Sequence, residues 1–147
     1  MDRFKFRLYF KGSDYAEAGY VDLTRTDVNF SLRSDGQIIR DVVYECQREE
    51  HKGESCHIPY TPDNNLYDIQ FCTGMKDKND KQIYEGDIIR CYYLKMHLDG
   101  VVFWDSEELG FNVKAYDGEI YRFIPTGKKE TVEVIGNIYE NPELLEG

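Results

Sequence analysis

The sequence predicts a mainly β protein made of antiparallel strands, and three observations support this prediction. Apolar and polar residues alternate with a period of two in several short stretches, as in strands with one buried face. These stretches lie about 8 to 12 residues apart and are separated by turn residues, a spacing typical of small sandwiches and barrels. The chain also has 12 Tyr and 8 Phe among 147 residues, and aromatic rings favour the pleated surface of a sheet.

The N-terminal half contains four strand patterns, in residues 4–10, 28–32, 38–43 and 67–71. Asp35-Gly36 separates the second from the third. This dipeptide predicts a hairpin, because glycine accepts a positive φ at no steric cost. Residues 43–52 fit either a helix or a charged loop. Residues 53–65 are rich in turn formers and are predicted to be the least ordered part.

The C-terminal half continues with strand patterns in residues 88–93, 100–104, 111–115, 120–124 and 132–135. A second hairpin is predicted at Asp117-Gly118. Asn141-Pro142-Glu143 predicts a short C-terminal helix, with a cap residue, proline in the first turn and a nearby acid. We divide the chain into an N-terminal β-rich segment, residues 1–72, and a C-terminal barrel-like segment, residues 73–147. The sequence leaves open whether the two segments share one core.

A dense polar stretch, TGMKDKNDKQIYEGDII at residues 73–89, is predicted to connect strands and not to perform chemistry. Asn79-Asp80 tolerates the left-handed region, so residues 78–81 are predicted to form a tight turn. We expect Gly86 to take a conformation closed to residues with a Cβ. The carboxylate of Asp87 is expected to accept hydrogen bonds from nearby backbone N–H groups.

Three blocks of the sequence resemble the YopX family of phage and prophage proteins: TGMKDKNDKQIYEGDIIR, GVVFWDSEELGFNV and VEVIGNIYENPELL. Lys5-Phe6-Arg7 resembles the family's N-terminal block, whereas Asn79-Asp80 replaces its usual Asn-Gly turn. The resemblance implies a mostly β protein of phage or prophage origin, with an SH3-like small barrel in the C-terminal half, and implies no established biochemical activity. Within these blocks we assign a structural role to one set of residues, called here the structural motif: Gly74, Asp77, Asn79, Tyr84, Gly86, Asp87, Trp104, Gly136 and Asn137.

Charge and hydropathy exclude several classes of protein. A net charge of −10 argues against a general nucleic-acid binder, which needs a basic surface to displace counterions. No stretch approaches the roughly 20 apolar residues that span a bilayer. The N-terminus alternates charged and apolar residues, unlike a secretory signal. We therefore expect a protein of the bacterial cytosol, with no membrane or nucleic-acid partner and with reduced cysteines.

The candidate metal ligands are Cys46, His51, Cys56 and His57, because zinc prefers thiolate and imidazole. Their spacing lacks a Cys-x-x-Cys motif, and two adjacent ligands would be difficult to direct at one ion. We expect these residues to be unliganded and the protein to have no cofactor. Cys72 and Cys91 lie in strand patterns without a neighbouring base, so we expect inert thiols rather than nucleophiles.

Two further groups of side chains have simple structural interpretations. The acids Asp105, Glu107 and Glu108 are expected to be a solvated loop instead of an acid–base pair or a cation site. A second group of aromatic residues could stack bases but lacks a cationic groove, so core packing is preferred for Tyr92, Tyr93, Phe103, Trp104, Phe111 and Tyr121.

The preferred hypothesis is a non-enzymatic phage accessory protein that acts through protein–protein contacts or self-assembly. Tyr-rich faces suit interfaces, and strand edges can pair with another chain. One alternative is an acidic nucleic-acid mimic that inhibits a host DNA-binding protein. A second alternative is a small metal-dependent hydrolase that uses the residues of the 46–57 cluster or the acids at 105–108.

Overall fold

The structure is a computed structural model. It describes residues 5–14, 16–23, 28–35, 37–45, 55–60, 64–93, 96–122 and 131–146. The prediction of a mainly β protein with antiparallel strands is confirmed. The strands are β1 (Phe6–Phe10), β2 (Gly19–Tyr20), β3 (Val28–Leu32), β4 (Ile38–Glu45), β5 (Ser55–Tyr60), β6 (Tyr67–Lys76), β7 (Gln82–Tyr84), β8 (Asp87–Tyr93), β9 (Met96–Asp105), β10 (Gly110–Ala115), β11 (Ile120–Arg122) and β12 (Val132–Asn137).

The chain forms two compact units, one comprising Arg7–Ile69 and the other Met1–Phe6 with Gln70–Gly147. In the Arg7–Ile69 unit, β1 pairs with β2, and β3, β4 and β5 form a three-stranded antiparallel sheet. The predicted hairpin at Asp35 joins β3 to β4, and Gln37 N donates to Asp35 Oδ1 at 3.1 Å. Strand β5 lies inside the turn-rich stretch that we expected to be least ordered, because pairing with β4 satisfies its backbone.

The Gln70–Gly147 unit contains a five-stranded antiparallel sheet of order β11-β10-β9-β8-β12, which forms a half-barrel. Residues 70–76 of β6 and the paired strand β7 belong to the same unit. Its core is formed by the side chains of Ile83, Ile89, Val102 and Val113, each no more than 2% exposed. Val102 and Val113 lie opposite each other in the register of β9 and β10. Because directly opposed residues share a face, this pairing places both side chains in the same core layer.

The C-terminal helix is a 3-10 turn, Pro142–Leu145. Asn141 precedes it but makes no capping bond with its side chain. Instead, Asn141 Oδ1 accepts a hydrogen bond from Asn137 N at 3.4 Å. The Asn141 side chain thus holds the segment after β12 against the last residue of that strand. A second 3-10 turn, Asn64–Leu66, leads into β6. In the described parts of the chain, no helix is both long and apolar enough to cross a membrane.

Candidate functional site

The polar stretch that connects β6 to β7 is organised around the carboxylate of Asp77, whose side chain is only 1% exposed. Asp77 Oδ1 accepts from the backbone N–H groups of Asn79 at 2.8 Å and Lys81 at 2.9 Å. Its Oδ2 accepts from Val134 N, on β12, at 3.0 Å. Asp80 has φ +63°, the left-handed conformation expected for this turn. Asp77 therefore ties the turn to the edge of the five-stranded sheet.

The Glu85-Gly86-Asp87 segment likewise has a structural role. Gly86 has φ +75°, and a Cβ placed on it would lie 2.0 Å from Nε2 of the buried Gln70. Asp87 Oδ2 accepts from Tyr84 N at 2.8 Å, and Gly86 N donates to Val102 O at 2.8 Å. These bonds hold the start of β8 in place relative to β7 and β9.

Three further motif residues, Gly74, Gly136 and Asn137, lie at bulges or at the end of a strand. Gly74 has φ +79°. Gly136 lies at a bulge in the β12–β8 register, and a Cβ there would lie 2.6 Å from Asn141 Oδ1. Asn137 Oδ1 accepts from Tyr139 N at 3.1 Å and from Glu140 N at 3.0 Å. These contacts shape the local backbone.

The metal candidates divide into two pairs. Cys46 and His51 lie outside the described residues, and Cys56 and His57 occupy consecutive positions of β5. Elsewhere, within the ranges that the structure describes, no three His, Cys, Asp or Glu side chains are placed to hold a metal ion.

The acids of the β9–β10 turn are engaged by neighbouring donors. Asp105 Oδ1 accepts from the backbone of Glu107 at 2.9 Å and of Glu108 at 3.2 Å. These bonds lower the pKa of Asp105. Arg122 forms an ion pair with Glu108 at 2.9 Å. This contact, together with a hydrogen bond from Asn112 to Glu108, lowers the pKa of Glu108. The carboxylates thus hold the turn and the neighbouring strand together.

Two ion pairs join oppositely charged side chains beside strands β8, β9 and β12 of the five-stranded sheet. Arg90 Nη2 lies 2.7 Å from Asp99 Oδ2, and Lys78 Nζ lies 2.6 Å from Glu133 Oε2. Tyr92 adds a hydrogen bond from its hydroxyl to Glu133 at 3.0 Å. Here the acids are paired with basic residues, unlike the contiguous line of carboxylates that a nucleic-acid mimic requires.

The cysteines of the Gln70–Gly147 unit are both reduced. Cys72 is 4% exposed, and its Sγ donates to Gln82 Oε1 at 3.1 Å. Burial, assisted by the charge of Asp99, raises the pKa of Cys91 to about 11. The thiolate is the nucleophilic form of cysteine. Because Cys91 stays protonated at neutral pH, we interpret it as a residue that packs and does not react.

We predict that Cys91 in the folded protein reacts with iodoacetamide at pH 8 at least about tenfold more slowly than in urea, since its thiol stays protonated. Site-resolved mass spectrometry of timed samples measures the two rates. Similar rates in the folded and unfolded chains would contradict the assignment of Cys91 as an unreactive thiol.

Three exposed apolar side chains lie around the β9–β10 hairpin and are called here the hairpin end: Trp104 on β9, Leu109 in the β9–β10 turn and Tyr121 on the neighbouring strand β11. Leu109 is 76% exposed and has φ +54°, a conformation that strains a residue with a branched side chain. Trp104 is 47% exposed and packs edge-on against Phe111, with the ring centroids 5.1 Å apart. Tyr121 is 44% exposed.

The strand register shows why these side chains are related. Trp104 lies opposite Phe111, and Tyr121 lies opposite Val113. Directly opposed residues share a face, so Trp104 continues the core face toward the β9–β10 turn and Tyr121 continues it onto the edge strand β11. Core packing was the expectation for both rings, yet only Phe111 packs against the core cluster. The hydrophobic layer therefore extends into solvent at this end.

Strand β11, which contributes Tyr121 to the hairpin end, is exposed along its whole length. Within the described residues it has a neighbouring strand, β10, on one side only. Ile120 on this strand is 55% exposed. Sequence reasoning identified the strand but missed the strained Leu109, because an apolar residue beside a turn has no signature in a single sequence.

Comparisons with known proteins agree with this architecture. The family model described as "YopX protein" matches residues 14–146. The fold is similar to that of the crystal structure of protein yopX from Bacillus subtilis, with a TM-score of 0.58, 19% identity, and coverage of 97% of this chain and 98% of that one. Protein EF1440 from Enterococcus faecalis is also similar, with a TM-score of 0.55, 23% identity and 96% coverage of each chain. No curated protein matches the chain.

The family match includes both hairpins, the Asp77 turn and the hairpin end, and it spans most of the two units. The sequence blocks around Gly86, Trp104 and Gly136 are the same segments that hold the five-stranded sheet together. The chain belongs to the YopX family.

Proposed function

We propose that the protein is a non-enzymatic accessory protein of a phage or prophage that acts in the bacterial cytosol through protein–protein contacts. The contact surface consists of the hairpin end and the edge strand β11. The partner that binds to it is a second copy of this chain. The observation that carries the proposal is the strained, exposed Leu109.

A left-handed conformation costs a non-glycine residue about 1–2 kcal/mol. Such strain tends to occur where a side chain has a function that needs its position. Leu109 combines this strain with an apolar side chain that is 76% exposed. Association would bury the side chain and offset both costs, whereas a purely structural turn would be better served by glycine or asparagine.

The edge of β11 supplies the geometry for association. An exposed strand edge presents backbone donors and acceptors that can pair with another strand. A twofold axis would pair β11 with the same strand of a second copy. The ion pair between Arg122 and Glu108 balances charge beside this edge, which allows two copies of an acidic chain to approach here. Ile120 and Tyr121 would then be covered.

We predict that the protein forms a concentration-dependent dimer and that Leu109→Asn weakens it by at least about tenfold without lowering the melting temperature. Asparagine tolerates the left-handed conformation, so the monomer keeps its turn while the apolar contact is lost. Ile120→Lys, which places a charge on the edge strand, is expected to have a similar effect. Size-exclusion chromatography with light scattering at tens of micromolar measures both.

The matched control is Leu144→Lys, which changes an exposed leucine in the 3-10 turn after β12. This variant should associate like the parent protein. A parent chain that remains monomeric would remove self-assembly, and dimers unaffected by Leu109→Asn and Ile120→Lys would place the interface elsewhere.

A further inference from the structure

The Arg7–Ile69 unit contains a cavity of about 480 Å³, a size typical of small-molecule sites, which are about 300–1,000 Å³. Aromatic rings form much of its wall. Tyr67 lies between two of them, with centroids 5.3 Å from Phe10 and 6.2 Å from Phe30. Tyr20 completes the aromatic lining. Such walls suit a flat ring, because π-faces stack with modest demands on sequence or orientation.

A buried cationic donor lies in the same wall. Arg40 lines the cavity and is directly opposite Phe30 in the register of β3 and β4. Its Nε atom is buried and has no hydrogen-bond partner among the described residues. A buried donor without an acceptor is costly, by about 1–3 kcal/mol. Because Nε itself is sealed from solvent, the donors that a ligand in the cavity can reach are the Nη groups of the same guanidinium.

Two carboxylates limit what that ligand can be. Glu17 and Asp22 also line the cavity and are exposed. They would repel a phosphate or another anion, and they can accept hydrogen bonds from N–H groups. The complementary ligand is therefore a neutral flat ring with an acceptor at one edge and N–H donors at another.

We propose that this cavity binds a guanine-type nucleoside. Guanine presents O6 and N7 as acceptors, the atoms that arginine recognises in DNA, and its N2 amino group is a donor. The aromatic rings would stack on the base, Arg40 would donate to its acceptor edge, and Glu17 would accept from its amino edge. A single nucleoside avoids the repulsion that a net charge of −10 imposes on a polyanionic strand. This site is independent of the proposed interface.

Gly19 provides a way to block the cavity. It lines the wall, faces Phe10 across the β1–β2 pair, and a Cβ placed on it meets no atom within 4 Å. A larger side chain at this position would occupy the space of the ligand without a clash at the backbone. Gly110 is a matched control in the other unit, since a Cβ there meets only Glu108 O at 3.9 Å.

The experiment is equilibrium dialysis of the full chain against labelled guanosine, with adenosine, inosine and L-tryptophan as competitors. Guanosine should bind, adenosine should bind at least about tenfold more weakly because it lacks the carbonyl, and inosine should be intermediate because it lacks the amino group. Gly19→Leu should abolish binding with an unchanged melting temperature, Gly110→Leu should leave it intact, and Arg40→Met should weaken it by at least about tenfold.

Absence of guanosine binding would overturn the proposal. Equal affinity for adenosine, or displacement by L-tryptophan with similar affinity, would overturn the assignment of a guanine-type base. Binding that survives Gly19→Leu would show that the ligand occupies another place. If Arg40→Met fails to fold, the Gly19→Leu result decides the location and the competitor series decides the chemistry.

Discussion

Replacing Asp77 by alanine is expected to lower the free energy of unfolding of the Gln70–Gly147 unit by roughly 3–5 kcal/mol. The carboxylate is 1% exposed and accepts from three backbone N–H groups at 2.8 to 3.0 Å. Alanine would leave these donors without their acceptor. Urea denaturation followed by fluorescence measures the loss, because the only tryptophan of the chain, Trp104, lies in this unit.

The control for this change is Asp117→Ala. Asp117 Oδ1 accepts one bond, from Glu119 N at 3.0 Å, in the exposed turn between β10 and β11. Because water can replace that bond, the cost should be about 1 kcal/mol or less. Equal effects of the two substitutions would show that the contacts of Asp77 to β12 contribute little.

The Asp77 effect should also depend on pH. Burial, the largest single influence, raises the pKa of its carboxyl, but the N–H donors of Val134, Lys81 and Asn79 lower it by more, so it falls below the ordinary value of 3.8. A lowered pKa in the folded state means that the stabilisation is present above pH 3.8 and is lost as pH falls through the folded pKa. The difference between the parent chain and Asp77→Ala should therefore narrow in acid. A difference that is constant down to pH 2 would contradict this.

Gly86→Ala is expected to destabilise the same unit by about 3 kcal/mol or more. A left-handed conformation, φ +75°, costs alanine about 1–2 kcal/mol. In addition, its Cβ would lie 2.0 Å from Nε2 of Gln70, a side chain that is 3% exposed. Gln70 has to shift within a packed environment, and overpacking of this kind costs about 1–3 kcal/mol. The same fluorescence experiment measures the change.

Gly118→Ala separates these two costs. Gly118 has φ +89° in the β10–β11 turn, but a Cβ placed on it meets nothing within 4 Å. It should therefore show the conformational cost alone, about 1–2 kcal/mol. If Gly118→Ala destabilises as much as Gly86→Ala, the packing against Gln70 is not a significant constraint.

The local features of this protein were predictable from its residues. Alternation of apolar and polar side chains identified β10, because burial of one face imposes a period of two, and an apolar run identified β8. Asp117-Gly118 identified a hairpin, because the turn needs a left-handed residue, and Gly118 indeed has φ +89°. The terminal helix was read from Asn141-Pro142-Glu143, but Asn141 bonds to the end of β12 and the segment is a 3-10 turn. Strand β5 was missed because its turn-rich composition conceals a pairing partner, β4, that is supplied by another part of the chain.

What the sequence by itself determined is the mainly β class, the hairpins and the turn that contains Asp77, since each depends on the conformational preferences of neighbouring residues. Only the tertiary structure decided that Asp77 reaches Val134 on β12 and that Arg40 lines an aromatic cavity with Phe10 and Tyr67. It also decided that Leu109 is strained and exposed at the hairpin end. These features join segments distant along the chain or depend on how neighbours pack, and periodicity carries no information about either.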